Sequence, residues 1–480
     1  MKITKYGGFP YHLWNPYTPM GKFIAFLGMG TTLLTRAEGR YVYNSQGKKF
    51  LDVNSGTWNF ALGYEREEII DAIYQQLHEL PFAPLWGMSH PRAIELAARL
   101  VEITSGNFTH AILGSNGSEA VEAALKMARQ FHRQSSKPAD HGRYKIISLR
   151  GSYHGLGYGA VSAAGKAEYE EKFGPLMPGF VQIGAPYCYR CPFQQSGYPA
   201  CGLACAKALE EMIRSEGPES VAAFIFEPVM GEANVIVPPA EYYARVGEIC
   251  QRYGVLLIAD EVTTGFGRAG KLFASQDWSI QPDILCLGKI ISGGYLPLSA
   301  TLASERVFER FLGKDRQFLH GSTHSGHPVC AAAGLAAIDI ILREKLPENS
   351  ARVGVYMKAG LERLQSKYPF IGEVRGQGLM IGVELVKDRE TKQPFTTDEL
   401  FEVTYDLVER GLLVSLDTLR LFPPLNIDEP TADRVLKIID QSLGSSRIEK
   451  YWRLGSDLVM AKLIPPKVKL GGNRKAKQEI

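Results

Sequence analysis

At 480 residues, 45% hydrophobic and 22% charged, the chain is long enough for a large core and more than one domain, with the balance of a globular protein. A net charge of +3 is too small to point to nucleic acid, and no run of about 18 apolar residues is present for a membrane span. The N-terminus lacks an apolar run of signal-peptide length, so the chain is expected in the cytoplasm, with neither nucleic acid nor a membrane as partner.

In chain order, GRYVYNSQGKKFLDV (39–53) reads as a hairpin, and residues 1–75 are expected to pack with a smaller domain formed further on. Residues 76–330 read as a large domain. Within it, GSNGSEAVEAALKMAR (114–129) begins with small polar residues and turns into an amphipathic helix. Such a start is an ordinary helix cap, or an anion cradle in which bare N–H groups hold a phosphate. The strands YKIISL, AAFIFEPV, VLLIADEV and DILCLG then alternate with helices such as PAEYYARVGEICQRY. Continuous apolar runs of this length predict an α/β fold with a mainly parallel sheet covered on both faces. Ligands collect at the carboxyl ends of such strands.

Between two of these strands lies CYRCPFQQSGYPACGLAC, with Cys188, Cys191, Cys201 and Cys205 spaced C-x2-C-x9-C-x3-C. That spacing suits zinc. The segment has no histidine and is rich in Pro, Gly and Tyr, so reduced loop thiols and no metal are the expectation. From 331 to 445 the long helix VCAAAGLAAIDIILREK leads into the strands MIGVELV and LLVSL and the helices TTDELFEVTYDLVER and EPTADRVLKIIDQSL, a smaller α+β domain. Residues 446–480 form an extension whose basic end, 465–480, reads as a solvated tail.

Two strands end on chemistry. VLLIAD stops at Asp260, and DILCLGK delivers Lys289 before a glycine-rich turn. Taken singly, each is an ordinary strand-end charge. Together with the Gly117–Ser118 loop they match what pyridoxal 5′-phosphate needs: an amine for its aldehyde, a carboxylate for its pyridine nitrogen and a nest for its phosphate.

The segments EPVMGE, LLIADEVTTGFGRAG, PDILCLGKIISGGYLPLSA, HGSTHSGHP and RGQGLMIGVEL resemble the class III pyridoxal-phosphate aminotransferases, the ornithine, 4-aminobutyrate and omega-amine transaminase group of fold type I. The likeness runs from about residue 35 to 440. It implies that Lys289 is the Schiff-base lysine and Asp260 the pyridinium partner. It implies that Gly117 and Ser118 form the phosphate turn, with Asn116 departing from the usual serine. Tyr153 matches the aromatic stacked on the ring, Val262 the apolar residue behind it, and His154 and Glu227 join the cofactor group. Thr323 matches a threonine that reaches the phosphate from the neighbouring subunit, which implies a homodimer with shared active sites; whether dimers pair into tetramers is left open. Trp58 matches a wall of the substrate pocket. Arg420 matches the arginine that binds an α-carboxylate, and Glu232 the glutamate that pairs with it when none is there.

Leu156 stands where the ornithine type has an arginine for a distal carboxylate, which favours pyruvate or another small keto acid over 2-oxoglutarate. Thr263 replaces a ring-contacting glutamine, and Met230 is a residue common among omega-amine transaminases. The expected activity is ping-pong transamination from an amine or amino acid to a small keto acid. An amino-acid racemase or aminomutase on the same site is the alternative.

Overall fold

The computed structural model describes residues 5–6, 9–21, 33–104, 107–195, 197–278, 280–445 and 448; the basic tail at 465–480 lies outside them. Seven strands build the large sheet: β1 (Phe108–Gly114), β2 (Lys145–Leu149), β3 (Phe180–Ile183), β4 (Val221–Phe226), β5 (Leu256–Asp260), β6 (Ile284–Leu287) and β7 (Ser299–Ser304). Their order is β1-β7-β6-β5-β4-β2-β3. The neighbours from β3 to β6 all pair in parallel, and β7 runs antiparallel to both β6 and β1.

The apolar runs of β4 and β5 follow from burial on both faces. Ala223, Ile225, Leu256 and Ile258 pack with Val121, Ala124 and Ala128 of the helix Gly117–Arg133. The alternate residues Phe224, Phe226, Leu257 and Ala259 join the larger core with Tyr243, Val246 and Ile249 of the helix Tyr242–Tyr253. Side chains leave a strand on alternate faces, so a strand with no exposed face shows no polar alternation.

The chain's early and late segments are stitched together. The expected hairpin is present: Tyr41–Asn44 pairs antiparallel with Lys49–Asp52, and Asn44 Oδ1 closes its turn by accepting from Gln46 and Lys48 N–H. Leu51 then pairs in parallel with Leu412. Phe422 N–H donates to Val53 O at 2.8 Å, and Leu425 N–H to Ala61 O at 2.7 Å. A second small sheet joins Ile371–Gln377, Met380–Leu385 and Leu419–Leu421, all antiparallel. LLVSL yields only the two-residue strand Leu412–Leu413, because the chain turns away before Leu419. The helix Thr397–Glu409 starts in a capping box between Thr396 and Glu399, and Glu429–Leu443 is capped by Asp428.

The hairpin turn at Gly378 is where the smaller sheet meets the rest. Leu379 N–H and Ser350 Oγ both donate to Arg268 O, at 3.0 Å each. Gly354, on the helix Leu346–Lys367, lies so close that an added Cβ would sit 2.1 Å from Gly378 O. Backbone faces backbone there, and neither side can yield cheaply. Gly354→Ala is expected to destabilise the protein by about 2–3 kcal/mol, read as a lower denaturation midpoint; an unchanged midpoint would contradict this packing.

Candidate active site

The helix Gly117–Arg133 presents its N-terminus to the carboxyl ends of β5 and β6. Asn116 caps it: Oδ1 accepts from Glu119 N–H at 3.0 Å, while Glu119 Oε2 accepts from Ser115 N–H at 2.9 Å. The N–H groups of Gly117 and Ser118, the first two helical residues, have no acceptor inside the helix. Three segments distant in sequence meet here. A Cβ on Gly117 would lie 2.7 Å from Val262 Cγ1, and one on Gly288 would lie 3.2 Å from the same atom and 3.4 Å from Gly117 Cα. The loop after β2 closes over this point, with Leu156 N–H donating to Ser118 Oγ at 3.1 Å.

Adjacent residues of that loop grip two buried carboxylates. His154 Nδ1 is 2.8 Å from Asp260 Oδ2, and Asp260 Oδ1 accepts from Val262 N–H at 3.1 Å. Tyr153 N–H donates to Glu227 Oε1 at 2.9 Å, and Gly231 N–H donates to Glu227 Oε2 at 3.1 Å. Burial, with the nearby Asp260 charge, pushes the Glu227 carboxyl up to about 7 against the pull of His154 and its two N–H donors. Burial also pushes the Tyr153 hydroxyl up, to about 12.

Lys289 follows β6 directly, in a left-handed conformation (φ 46°) that a lysine rarely adopts. Its Nζ donates to Thr263 Oγ1 at 2.6 Å and lies 4.9 Å from the centre of the Trp58 ring. Burial lowers its pKa, and Asp260 opposes that shift. Lys289, Asn116, Gly117, Thr57 and Leu298 line one cleft of about 440 Å³.

Trp58 comes from a strained turn. Ser55, Gly56, Thr57 and Trp58 all have positive φ, between 45° and 66°. For each non-glycine residue this costs about 1–2 kcal/mol, so the surroundings must over-determine it. Asp52 does so by accepting from the N–H groups of Asn54 and Gly56 and from the Tyr64 hydroxyl, each at 3.0 Å. Ser55 Oγ donates to Phe422 O at 2.6 Å, and the Trp58 ring stacks on Phe422 at 4.3 Å. The tryptophan is held on one face by Phe422 and on one edge by Asn54, whose Oδ1 accepts from its Nε1.

Arg420 stands beside this aromatic pair, its guanidinium 5.0 Å from the centre of the Trp58 ring. Nη1 donates to Glu232 Oε2 at 2.8 Å, and Nη2 donates to the two oxygens of Asp417 at 3.2 and 3.3 Å. Glu232 also meets Lys166 Nζ at 3.3 Å. The partners Lys166, Asp417 and Asp52 escape a reading of the sequence. Only Asp417 carries a local signal, three residues before Arg420 on a turn.

The structure thus brings Lys289, Asp260, His154, Val262, Gly117, Ser118, Tyr153 and Glu227 around the strand ends, with Trp58, Glu232 and Arg420 adjoining. Thr323 is not with them. It lies exposed in the loop before the helix Pro328–Arg343 and does not line the cleft. The four clustered cysteines line a separate cavity of about 20 Å³ with Tyr187 and Tyr198. Among the described residues, no group of three or more His, Cys, Asp or Glu side chains is placed to hold a metal, and no helix is long and apolar enough to cross a membrane.

The donor set fits pyridoxal phosphate: a desolvated amine, a buried carboxylate held ready by a histidine, and open N–H groups at a helix start without Cβ obstruction. The chain's similarity to known proteins agrees. The profile of the family described as Aminotransferase class-III matches residues 28–443. A probable aminotransferase of Mycobacterium tuberculosis is 39% identical over 89% of this chain and 92% of its own length. The putrescine–pyruvate aminotransferase of Pseudomonas aeruginosa is 36% identical over 86% of this chain and 91% of its own. An amine transaminase from an uncultivated Pseudomonas species, solved in its PLP-bound form, superposes with a TM-score of 0.86 at 38% identity, covering 90% of this chain and 98% of that one.

The raised Glu227 carboxyl makes stability depend on pH. Between about 4.5 and 7 the folded state keeps a proton that the unfolded state has lost, so stability falls as pH rises through this window. In cofactor-free protein the loss attributable to Glu227 is expected to reach about 3 kcal/mol. Urea denaturation of wild type and Glu227→Gln across this range should show the variant lacking that slope; parallel profiles would contradict it.

Proposed function

The chain belongs to the class III aminotransferases, with their fold type I architecture and pyridoxal 5′-phosphate as cofactor, and we propose that it moves an amino group from an amine or amino acid donor to a small keto acid by a ping-pong exchange. When bound, the cofactor supplies an aldehyde to carry the amino group and a ring to draw electrons from the substrate carbon. The N–H groups of Gly117 and Ser118 would hold its phosphate, with Tyr153 and Val262 on the two faces of the ring. Asp260, oriented by His154, would keep a proton at the pyridine nitrogen. Lys289 is the proton carrier: its lowered pKa makes Nζ available as a base, and Thr263 Oγ1 gives it a resting acceptor. Glu227 braces the loop that carries Tyr153.

The observation that carries the substrate reading is the Arg420–Glu232 pair, beside the same Trp58 ring that Lys289 touches. With Glu232 on Arg420, the pocket is neutralised and takes a donor lacking a neighbouring carboxylate. With Glu232 displaced, the planar guanidinium takes the carboxylate of a keto acid bidentately. Leu156, half exposed where a second arginine would be needed, supports pyruvate over 2-oxoglutarate, as does the acceptor named for the Pseudomonas aeruginosa relative.

The active unit in this proposal is a cytoplasmic homodimer in which Thr323 serves the partner's phosphate site. Supporting it, the exposed apolar side chains Trp86 and Leu319 flank the Thr323 loop, and Phe82 packs edge-on against His324.

Supplied with one amine and no keto acid, the holoenzyme is expected to stop after one half-turnover per site with loss of its yellow absorbance, and pyruvate should restore the band. Continuous turnover with the colour retained would favour a racemase or aminomutase. Lys289→Ala should lower the half-reaction rate by about 10²–10⁴-fold and abolish borohydride fixation of the cofactor to the chain. Preference for 2-oxoglutarate over pyruvate would overturn the reading of Leu156.

A further inference from the structure

Glu232 is held from two sides. One carboxylate oxygen takes Arg420 at 2.8 Å, and the other faces Lys166 Nζ at 3.3 Å. Lys166 precedes the short helix Ala167–Phe173, and its amine lies 5.4 Å from the Tyr153 ring and 5.9 Å from the Tyr169 ring. The Tyr169 hydroxyl is in turn tied to that of Tyr17 at 2.8 Å. Aromatic faces attract an ammonium, so these rings keep the amine where it is.

An acceptor's carboxylate on Arg420 would face two resident carboxylates, Glu232 and Asp417. Their exposures differ. The Asp417 side chain is 59% exposed and can turn into water, whereas that of Glu232 is only 21% exposed. A largely covered carboxylate that loses its arginine needs another cation. Lys166 is already in contact, on the oxygen that Arg420 does not use.

We propose that Lys166 is a positioning residue that determines acceptor specificity: it retains Glu232 when a keto acid's carboxylate takes Arg420. The proposal rests on the reading of Arg420 as the carboxylate site. It makes Lys166 matter in one half-reaction only. During the amine half, Glu232 keeps Arg420 whether or not Lys166 is present.

The test uses holoenzyme with putrescine as donor and pyruvate, 2-oxoglutarate or butanal as acceptor; butanal has no carboxylate. Lys166→Met is expected to raise the KM for pyruvate about fivefold with kcat retained, while the KM values for putrescine and butanal move less than about twofold. Lys166→Arg should restore the pyruvate KM to within about twofold of wild type. Equal changes for pyruvate and butanal, no change for pyruvate, or failure of Lys166→Arg to rescue would overturn the proposal. So would a change confined to 2-oxoglutarate, which would make Lys166 a reader of the distal carboxylate. Absence of any amino transfer by wild type would instead remove the transaminase reading beneath it.

Discussion

The site exists because two glycine backbones close together on one valine side chain. Gly117 starts a helix, Val262 follows β5 and Gly288 follows β6; the Val262 side chain leaves no room for a Cβ on Gly117 and only a tight fit for one on Gly288. This contact fixes the helix N-terminus relative to Asp260 and Lys289, which lie two residues before Val262 and one after Gly288. The open N–H groups of Gly117 and Ser118 lie about 140 positions from Asp260 and about 170 from Lys289 in sequence, yet all of these groups share one sheet edge. Parallel strands make this possible, because they deliver their carboxyl ends to the same side.

Burial then sets the chemistry. Asp260 and Glu227 are two acids under one roof, yet they are treated differently. Asp260 has a histidine as well as a backbone N–H; Glu227 has only backbone N–H donors and is pushed towards neutrality. Pushed towards neutrality, Glu227 braces the loop at a lower charge than an exposed carboxylate would carry. The amine of Lys289 is desolvated as well, and burial, by disfavouring its charged form, raises the share present as neutral amine.

Much of this was legible in the chain itself, and what was legible has a common cause. Asp260 and Lys289 stand out because each breaks an apolar run, and a run ends where the sheet ends. Asn116 departs from its family's serine but is itself a strong cap residue, and it caps. The left-handed turn at Ser55–Trp58 was hidden, because only Gly56 among its residues suggests positive φ; it is held locally by Asp52 and from a distant segment by Phe422. Lys166 and Asp417 were hidden for another reason. Charged residues in loops read as solvated surface until a fold gives them partners, and those of Lys166 lie 66 residues away at Glu232 and across the site at Tyr153.

The substrate end follows from charge compensation rather than from shape alone. Arg420 is almost wholly covered and carries two carboxylates, one tight and enclosed, the other looser and open to water. A buried guanidinium with no carboxylate would be costly, and the proposed exchange never leaves it bare: in it an enclosed glutamate would serve when the substrate is an amine, and the substrate itself when it is a keto acid. The requirement then passes to the displaced glutamate, and from it to whichever cation is next in reach. In the proposal that cation is Lys166, whose amine faces the rings of Tyr153 and Tyr169; the Tyr153 backbone N–H is in turn held by Glu227. The proposed acceptor end is thereby linked to the cofactor end through Tyr153, with Tyr169 sharing the hold on Lys166.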